Sequence, residues 1–294
     1  MTDQRNIPGR IMRRIKWTGL SPLPICVRRA RDPQNTGSTC TKYIYILSDG
    51  RSATHHGKCD TYHTKMSSFT TYHEDFKAIL GPSPKLDVLL ENKEYPFAHE
   101  AGVFIPSENS LFITSNQYVD PLSPPTKKIQ ISKVTLPDND PIRCEEIFPE
   151  SVPMANGGVN YKNGILFCAQ GDMKASSGLA FMETQPPYRS SFLLTSFYGR
   201  PFNSLNDVVV HSDGSVWFTD PIYGSEQGIR PPATSPNQVY RWDAENGGSI
   251  RAVADGFGRC NGICFSPDEK IVYVTDTDYI HGDGTTDGVR ASSM

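Results

Sequence analysis

The chain lacks the features that define several common protein classes. Its 294 residues contain no apolar run near the roughly 20 residues of a membrane span. The N-terminus is basic but has no apolar segment typical of a secretory signal. The formal net charge is only −3, which gives no electrostatic reason to expect nucleic acid or an anionic membrane. We therefore expect no nucleic acid and no membrane among the partners, and localisation stays open.

Cysteine is present without a recognisable pattern. The seven cysteines are irregularly spaced, match no zinc motif, and are odd in number, which argues against a complete disulfide framework. Cys260 and Cys264 fall in an apolar stretch where small buried residues belong. We therefore expect both in the core, and the redox compartment remains undetermined.

Residues 1–74 differ in character from the rest of the chain. The first 31 residues hold eight Lys or Arg against one acidic residue, as an organellar presequence would. A second interpretation is a metal site, although a second ligand pair at zinc-finger spacing is missing. Its candidate ligands are His55, His56, Cys59 and His63. The favoured interpretation is a poorly specified, disordered extension, with one possible strand over residues 43–47, preceding a domain over residues 75–294.

Four stretches of the chain repeat one pattern. Each begins at a carboxylate or amide anchor, passes through a short apolar strand and a turn rich in Gly, Pro, Asp or Asn, and ends in a second β-rich strand. The anchors, separated by steps of 56, 50 and 55 residues, are Glu100, Asn156, Asn206 and Asn261. Three repeats also place an aromatic residue of the second strand 12 residues after the anchor: Phe112, Phe218 and Tyr273.

A period near 50 residues, with short strands in each unit, is typical of a β-propeller. The segments between repeats supply two further strands, as in the hairpin predicted over residues 239–253, so that each unit becomes a four-stranded blade. Because every anchor occupies the same place in its unit, we expect the four side chains to converge on the central axis. A ring of oxygen ligands there suits a hard cation.

Three stretches carry a resemblance to a known family. Leu205-Asn206-Asp207-Val208 with Asp213-Gly214 and Phe218-Thr219-Asp220-Pro221 resembles a blade motif of the gluconolactonase/senescence-marker-protein (regucalcin) superfamily. Cys260-Asn261-Gly262-Ile263 with Ser266-Pro267-Asp268-Glu269 resembles the motif of its next blade. His99-Glu100-Ala101-Gly102-Val103 is similar to the fungal lactonohydrolase branch. The resemblance covers residues 75–290.

The resemblance implies a six-bladed propeller that hydrolyses sugar-acid lactones or related cyclic esters with one divalent cation, most often calcium. It implies that Glu100, Asn206 and Asn261 bind this cation. Asn156 shares their register and His99 flanks Glu100, so we assign these two to the substrate. The alternative for any single Asn is a turn cap made through its own backbone.

The sequence also departs from the family pattern. No Pro-Asp-Gly follows Asn261, so the acidic residue that serves relatives as general base has no counterpart. Asp207 and Asp220 are the nearest acidic substitutes in sequence. Four repeats are present where six blades would need about 100 further residues. We therefore predict an incomplete propeller of about four blades, with lactone hydrolysis impaired by truncation. The alternative is a non-catalytic propeller fragment that acts as an interaction scaffold.

Overall fold

The computed structural model describes the strand Lys42–Ser48 and residues 71–82, 85–120, 126–136, 141–245 and 248–294. This part of the chain is nearly all β. Its helical segments are short: Glu74–Leu80, the 3-10 turn Pro106–Glu108, and Tyr223–Glu226. None of the helices among these residues has the length and apolar character needed to cross a bilayer.

Four antiparallel sheets form the body of the molecule, and in each the strands are hydrogen-bonded in chain order. The first blade contains Glu100–Ile105, Ser110–Thr114, Ile131–Thr135 and Arg143–Ile147. The second contains Ala155–Tyr161, Gly164–Ala169, Gly178–Glu183 and Ser190–Leu194. The third contains Val208–Val210, Val216–Asp220, Gln238–Trp242 and Ile250–Ala254. The fourth contains Cys260–Phe265, Val272–Thr277 and Ser292–Ser293.

The four sheets are arranged as successive propeller blades. The first strand of each blade contacts the first strand of the next, which places these strands innermost and the later strands outside. The predicted all-β propeller with four blades is thus confirmed. The hairpin predicted over residues 239–253 is present as the last two strands of the third blade.

The core lies between the faces of adjacent blades. One apolar cluster joins the first and second blades and includes Phe112, Ile165 and Phe167. Another joins the second and third blades and includes Leu166 and Phe218. Ile165 and Phe167 therefore face the first blade, whereas Leu166 between them faces the third, as the alternation of side chains along a strand requires.

Three two-stranded pairs lie outside the blades. Lys42–Ser48 pairs in parallel with Lys85–Asn92, so the strand predicted over residues 43–47 is present. Two antiparallel ribbons connect blade elements: Tyr118–Val119 with Lys127–Lys128, and Ser196–Phe197 with Arg200–Pro201. The other predictions made for residues 1–70, including the metal site with His55 and Cys59, lie outside the described residues.

The fourth blade exposes one face. Its residues Ile263 and Phe265 point toward the third blade, where the Phe265 ring contacts Trp217 edge-on. Cys264 and Tyr273, paired on the opposite face, are exposed, Tyr273 at 38%. Cys260 is buried as predicted, but the prediction of a core position was wrong for Cys264, because no described residue packs over the face that it shares with Tyr273.

Candidate functional site

The four anchors lie at corresponding ends of the four innermost strands. Glu100 begins the first strand of its blade, and Asn156 and Asn261 are second in theirs. Asn206 lies two residues before the strand that starts at Val208. In the first, second and fourth blades the pairing register shifts at this point. Such bulges re-aim side chains out of the regular alternation, here at the residues that the sequence singles out.

Hydrogen bonds between blades tie the anchors together. The Thr114 hydroxyl of the first blade donates to the Asn156 carbonyl at 3.1 Å. The Gly157 amide of the second blade donates to the Asn206 carbonyl at 2.8 Å, and the Thr219 hydroxyl of the third blade donates to the Asn261 carbonyl at 2.7 Å. The backbone of each Asn anchor is therefore fixed against the preceding or following blade.

Glu100 lies where protein surrounds the carboxylate but water still reaches it. Its side chain is 30% exposed, while burial, and secondly the negative charge of Asp207, raise its pKa to about 8. Both observations fit a group at the bottom of an opening between blades. His99 is 44% exposed, with its Nε2 3.9 Å from Glu100 Oε1, so the structure places His99 at the outer edge of the same site.

Asp207 and Asp220, the two acidic residues considered as substitutes for the missing base, have different surroundings. The Asp207 carboxylate accepts from the amides of Val208 and Ile263, both at 2.9 Å, and burial raises its pKa. A Cβ added at Gly157, the residue after Asn156, would lie 2.6 Å from Asp207 Oδ1, so this carboxylate lies beside the anchor of the second blade. The fully buried Asp220 instead accepts from the amides of Asn203 at 3.0 Å and Ser204 at 2.8 Å. Asp220 therefore braces the loop before the inner strand.

The anchors leave oxygen atoms without protein donors. Asn156 is 7% exposed, and its Oδ1 is buried with no hydrogen-bond partner. Across the described ranges, the Glu100 carboxylate accepts no hydrogen bond either. A buried polar atom such as Asn156 Oδ1 is costly unless a partner satisfies it. Oxygen atoms from one carboxylate and several amides fit a hard cation such as calcium.

These residues do not form a carboxylate-rich metal centre. Within the described part of the chain, no three His, Cys, Asp or Glu side chains are grouped as metal ligands. Any cation at this site would depend mainly on amide oxygens, which neutralise less of its charge than carboxylates do.

Two further residues contact the site and were not predicted from sequence. The Asn261 side-chain nitrogen donates to the hydroxyls of Tyr223 at 3.5 Å and Thr277 at 3.3 Å. Tyr223 begins the short helix of the third blade, and Thr277 ends the second strand of the fourth. Thr277 is the last residue of its sequence repeat. That position is the one sequence signal that could have indicated a residue beside an anchor.

Comparisons with known proteins identify the family of this chain. The SMP-30/Gluconolactonase/LRE-like region family model matches residues 91–280, and the chain belongs to this family. It is 31% identical over 208 residues to the lactonohydrolase oryL of Aspergillus oryzae, which covers 68% of this chain and 45% of that protein. It is 36% identical over 110 residues to the gluconolactonase of Zymomonas mobilis, covering 35% of this chain and 30% of that protein. The chain thus spans less than half the length of these curated relatives.

Among solved structures, the chain resembles the gluconolactonase XC5397 of Xanthomonas campestris. The TM-score is 0.47 at 22% sequence identity, over 62% of this chain and 56% of that chain.

Proposed function

We propose that this chain provides part of a lactonase site, in which a divalent cation promotes hydrolysis of a sugar-acid lactone or related cyclic ester. The observation that carries the proposal is the placement of Glu100, Asn206 and Asn261 at corresponding ends of the inner strands of the first, third and fourth blades. Membership of the family and the similarity to a lactonohydrolase and a gluconolactonase support the reaction class.

Glu100, Asn206 and Asn261 would hold the cation, which their oxygen ligands indicate to be calcium. When bound, such a cation polarises the lactone carbonyl and stabilises the negative charge that develops on its oxygen. Glu100 must lose its proton to bind, and its raised pKa makes this loss a function of pH near 8. One carboxylate with neutral amides leaves a divalent cation with net positive charge that can act on the substrate.

Asn156 and His99 would contact the substrate. The unpartnered Oδ1 of Asn156 can accept a hydrogen bond from a sugar hydroxyl. His99 is exposed at the edge of the site and can donate or accept through its ring nitrogens. These two side chains would orient the lactone ring and would leave binding of the cation to the other three anchors.

A pH-stat assay with glucono-δ-lactone tests the proposal. The full chain should accelerate hydrolysis above the buffer rate, lose this activity in EDTA, and regain it on addition of calcium. Glu100→Gln keeps the size of the side chain but removes its charge, and should lower the calcium-dependent rate at least about tenfold, which corresponds to roughly 1.4 kcal/mol. A chain with no calcium-dependent rate at any pH would contradict the proposal and favour a non-catalytic scaffold.

A further inference from the structure

Asn261 is the predicted cation ligand whose surroundings are most completely defined. Its side-chain nitrogen donates to Tyr223 Oη at 3.5 Å and to Thr277 Oγ1 at 3.3 Å. The two hydroxyls are hydrogen-bonded to each other, so they lie on the same side of the nitrogen and an N–H of the amide points toward the pair. Across the residues that the structure describes, Asn261 Oδ1 accepts no hydrogen bond, and it is the atom left for a ligand.

We propose that Tyr223 and Thr277 are positioning residues that fix the orientation of the Asn261 amide, so that its oxygen rather than its nitrogen is presented to the cation. The inference rests on the proposed function, because it concerns the same site. An amide oxygen is a ligand for a hard cation, whereas an amide nitrogen turned to the same place presents two partly positive hydrogens.

The backbone of Asn261 is already held by the third blade. The Thr219 hydroxyl donates to the Asn261 carbonyl at 2.7 Å. Two residues along the strand, the Ile263 amide donates to the Asp207 carboxylate at 2.9 Å. With the main chain held on both sides of the residue, the freedom that remains lies in the side-chain torsions, which include rotation of the terminal amide. That rotation is what Tyr223 and Thr277 restrict.

The Tyr223 hydroxyl is itself held in place. It is hydrogen-bonded to the Thr277 hydroxyl, and the residue is only 7% exposed. The next residue, Gly224, donates from its backbone to the Ser204 hydroxyl at 2.8 Å, and a Cβ added there would lie 2.7 Å from the Ser204 Cβ. The helix start is therefore packed tightly against the loop that precedes the inner strand of the third blade.

A separate contact joins this helix to the fourth blade. Glu226 at the helix end pairs with Arg259, whose Nε lies 3.0 Å from Glu226 Oε2, and accepts from the Gly282 amide at 2.7 Å. Arg259 also pairs with Asp278 at 2.8 Å. The helix and the strand that carries Asn261 are thus held together without the Tyr223 hydroxyl, so removing that hydroxyl should leave the packing intact.

Calorimetric titration of the full chain with calcium tests the proposal by a double-mutant cycle. Tyr223→Phe should weaken calcium binding about tenfold, as the loss of a hydrogen bond that sets one ligand predicts, without lowering the melting temperature. The matched control is Tyr198→Phe, which removes the same hydroxyl from a side chain that is 77% exposed. It should leave the calcium affinity unchanged.

The Asn261→Asp background distinguishes orientation from general structure. A carboxylate presents an oxygen whichever way it is turned, so Tyr223→Phe in this background should weaken calcium binding by less than about twofold. An equal loss in both backgrounds, or no loss in the wild-type background, would overturn the positioning role.

A second measurement keeps this inference separate from the proposed function. If the unaltered chain takes up no calcium, the proposed cation site fails, and the side-chain amide resonances of Asn261 then decide on positioning. Tyr223→Phe and Thr277→Val should each shift these amide proton signals, while Tyr198→Phe should not. Unchanged Asn261 signals in both variants would show that the two hydroxyls do not hold the amide.

Discussion

The second and fourth blades carry the same Asn-Gly pair in different surroundings. A Cβ added at Gly157 would lie 2.6 Å from both the Asn206 carbonyl oxygen and Asp207 Oδ1 of the third blade. At Gly262 the nearest atom, at 3.3 Å, is the Thr275 hydroxyl of the same blade. The local sequence therefore sets the hairpin and its bulge, while the neighbouring blade decides how closely the anchor is enclosed.

The hydroxyls of Thr219 and Thr275 also differ in whether they contact a neighbouring blade. The Thr219 hydroxyl accepts from the Asp207 amide at 3.1 Å and donates across the blade boundary to Asn261. The Thr275 hydroxyl accepts from the Gly262 amide at 2.8 Å and makes its other contact, at 3.4 Å, with the Gly262 carbonyl of its own blade. A hydroxyl at this position joins blades where a neighbour is present and otherwise stays within its own hairpin.

The largest effect is expected in the core between the second and third blades. Phe218 is fully buried there, so Phe218→Ala should lower the free energy of unfolding by about 3–5 kcal/mol through lost burial and the cavity left behind. Tyr273→Ala, on the exposed face of the fourth blade, should cost less than about 1 kcal/mol. Urea denaturation of both variants checks this, and similar losses would contradict the contrast between the blades.

Adding one methyl group to each Asn-Gly pair sharpens the comparison. Gly157→Ala should destabilise the protein by about 1–3 kcal/mol, because the new Cβ meets backbone atoms that cannot move aside. Gly262→Ala should cost under about 1 kcal/mol, since its nearest contact is a side-chain hydroxyl. Thermal unfolding of the two variants measures the difference, and equal melting temperatures would disprove the account of blade contact at Gly157.

Thr219→Val removes the hydroxyl that joins the third and fourth blades. The change leaves the Asp207 amide and the Asn261 carbonyl without this partner, so we expect a loss of about 1–2 kcal/mol in the free energy of unfolding. Thr275→Val should cost about half as much, because its hydroxyl bridges no blade boundary. Chemical denaturation compares them, and a larger loss from Thr275→Val would reverse the interpretation.

Burial of Asp220 predicts a pH dependence of stability. Burial raises its pKa in the folded protein to about 7, above the value of about 3.9 in an unfolded chain. Between these values the native state holds a proton that the unfolded state has released. The free energy of unfolding should therefore fall as pH rises from about 4 to about 7, by at most about 1.4 kcal/mol per pH unit.

Asp220→Asn should remove this slope, and denaturation at several pH values measures it. Asp276 in the fourth blade also accepts hydrogen bonds from two backbone amides, those of Gly258 and Arg259. Asp276→Asn is therefore the matched control. A slope that persists in Asp220→Asn would assign the pH dependence to another group.

The sequence predicted the propeller and the anchor positions because both depend on local repetition. The aromatic offset of 12 residues was less informative. Thr114 and Thr219 each donate to the Asn carbonyl of the following blade, so these two are equivalent, yet Phe112 precedes its Thr by two residues and Phe218 by one. Turn length varies between hairpins, and a fixed count along the chain therefore aligned aromatic residues that face different neighbours.

Features that depend on contacts between distant segments could not be read from the sequence. Tyr223 reaches Asn261 across 38 residues, and no local pattern indicates that contact. The exposure of Cys264 and Tyr273 likewise depends on what packs over their face of the fourth blade, whereas each of their two strands has the sequence pattern of a core strand.

The most direct test of the proposed site is a crystal of this chain grown with calcium and measured at long wavelength, where calcium scatters anomalously. The account predicts one anomalous peak coordinated by the Glu100 carboxylate and by the side-chain oxygens of Asn206 and Asn261. Each calcium–oxygen distance should be about 2.3–2.6 Å, as is usual for calcium. A peak held by other residues, or well-ordered anchors with no peak between them at saturating calcium, would contradict it.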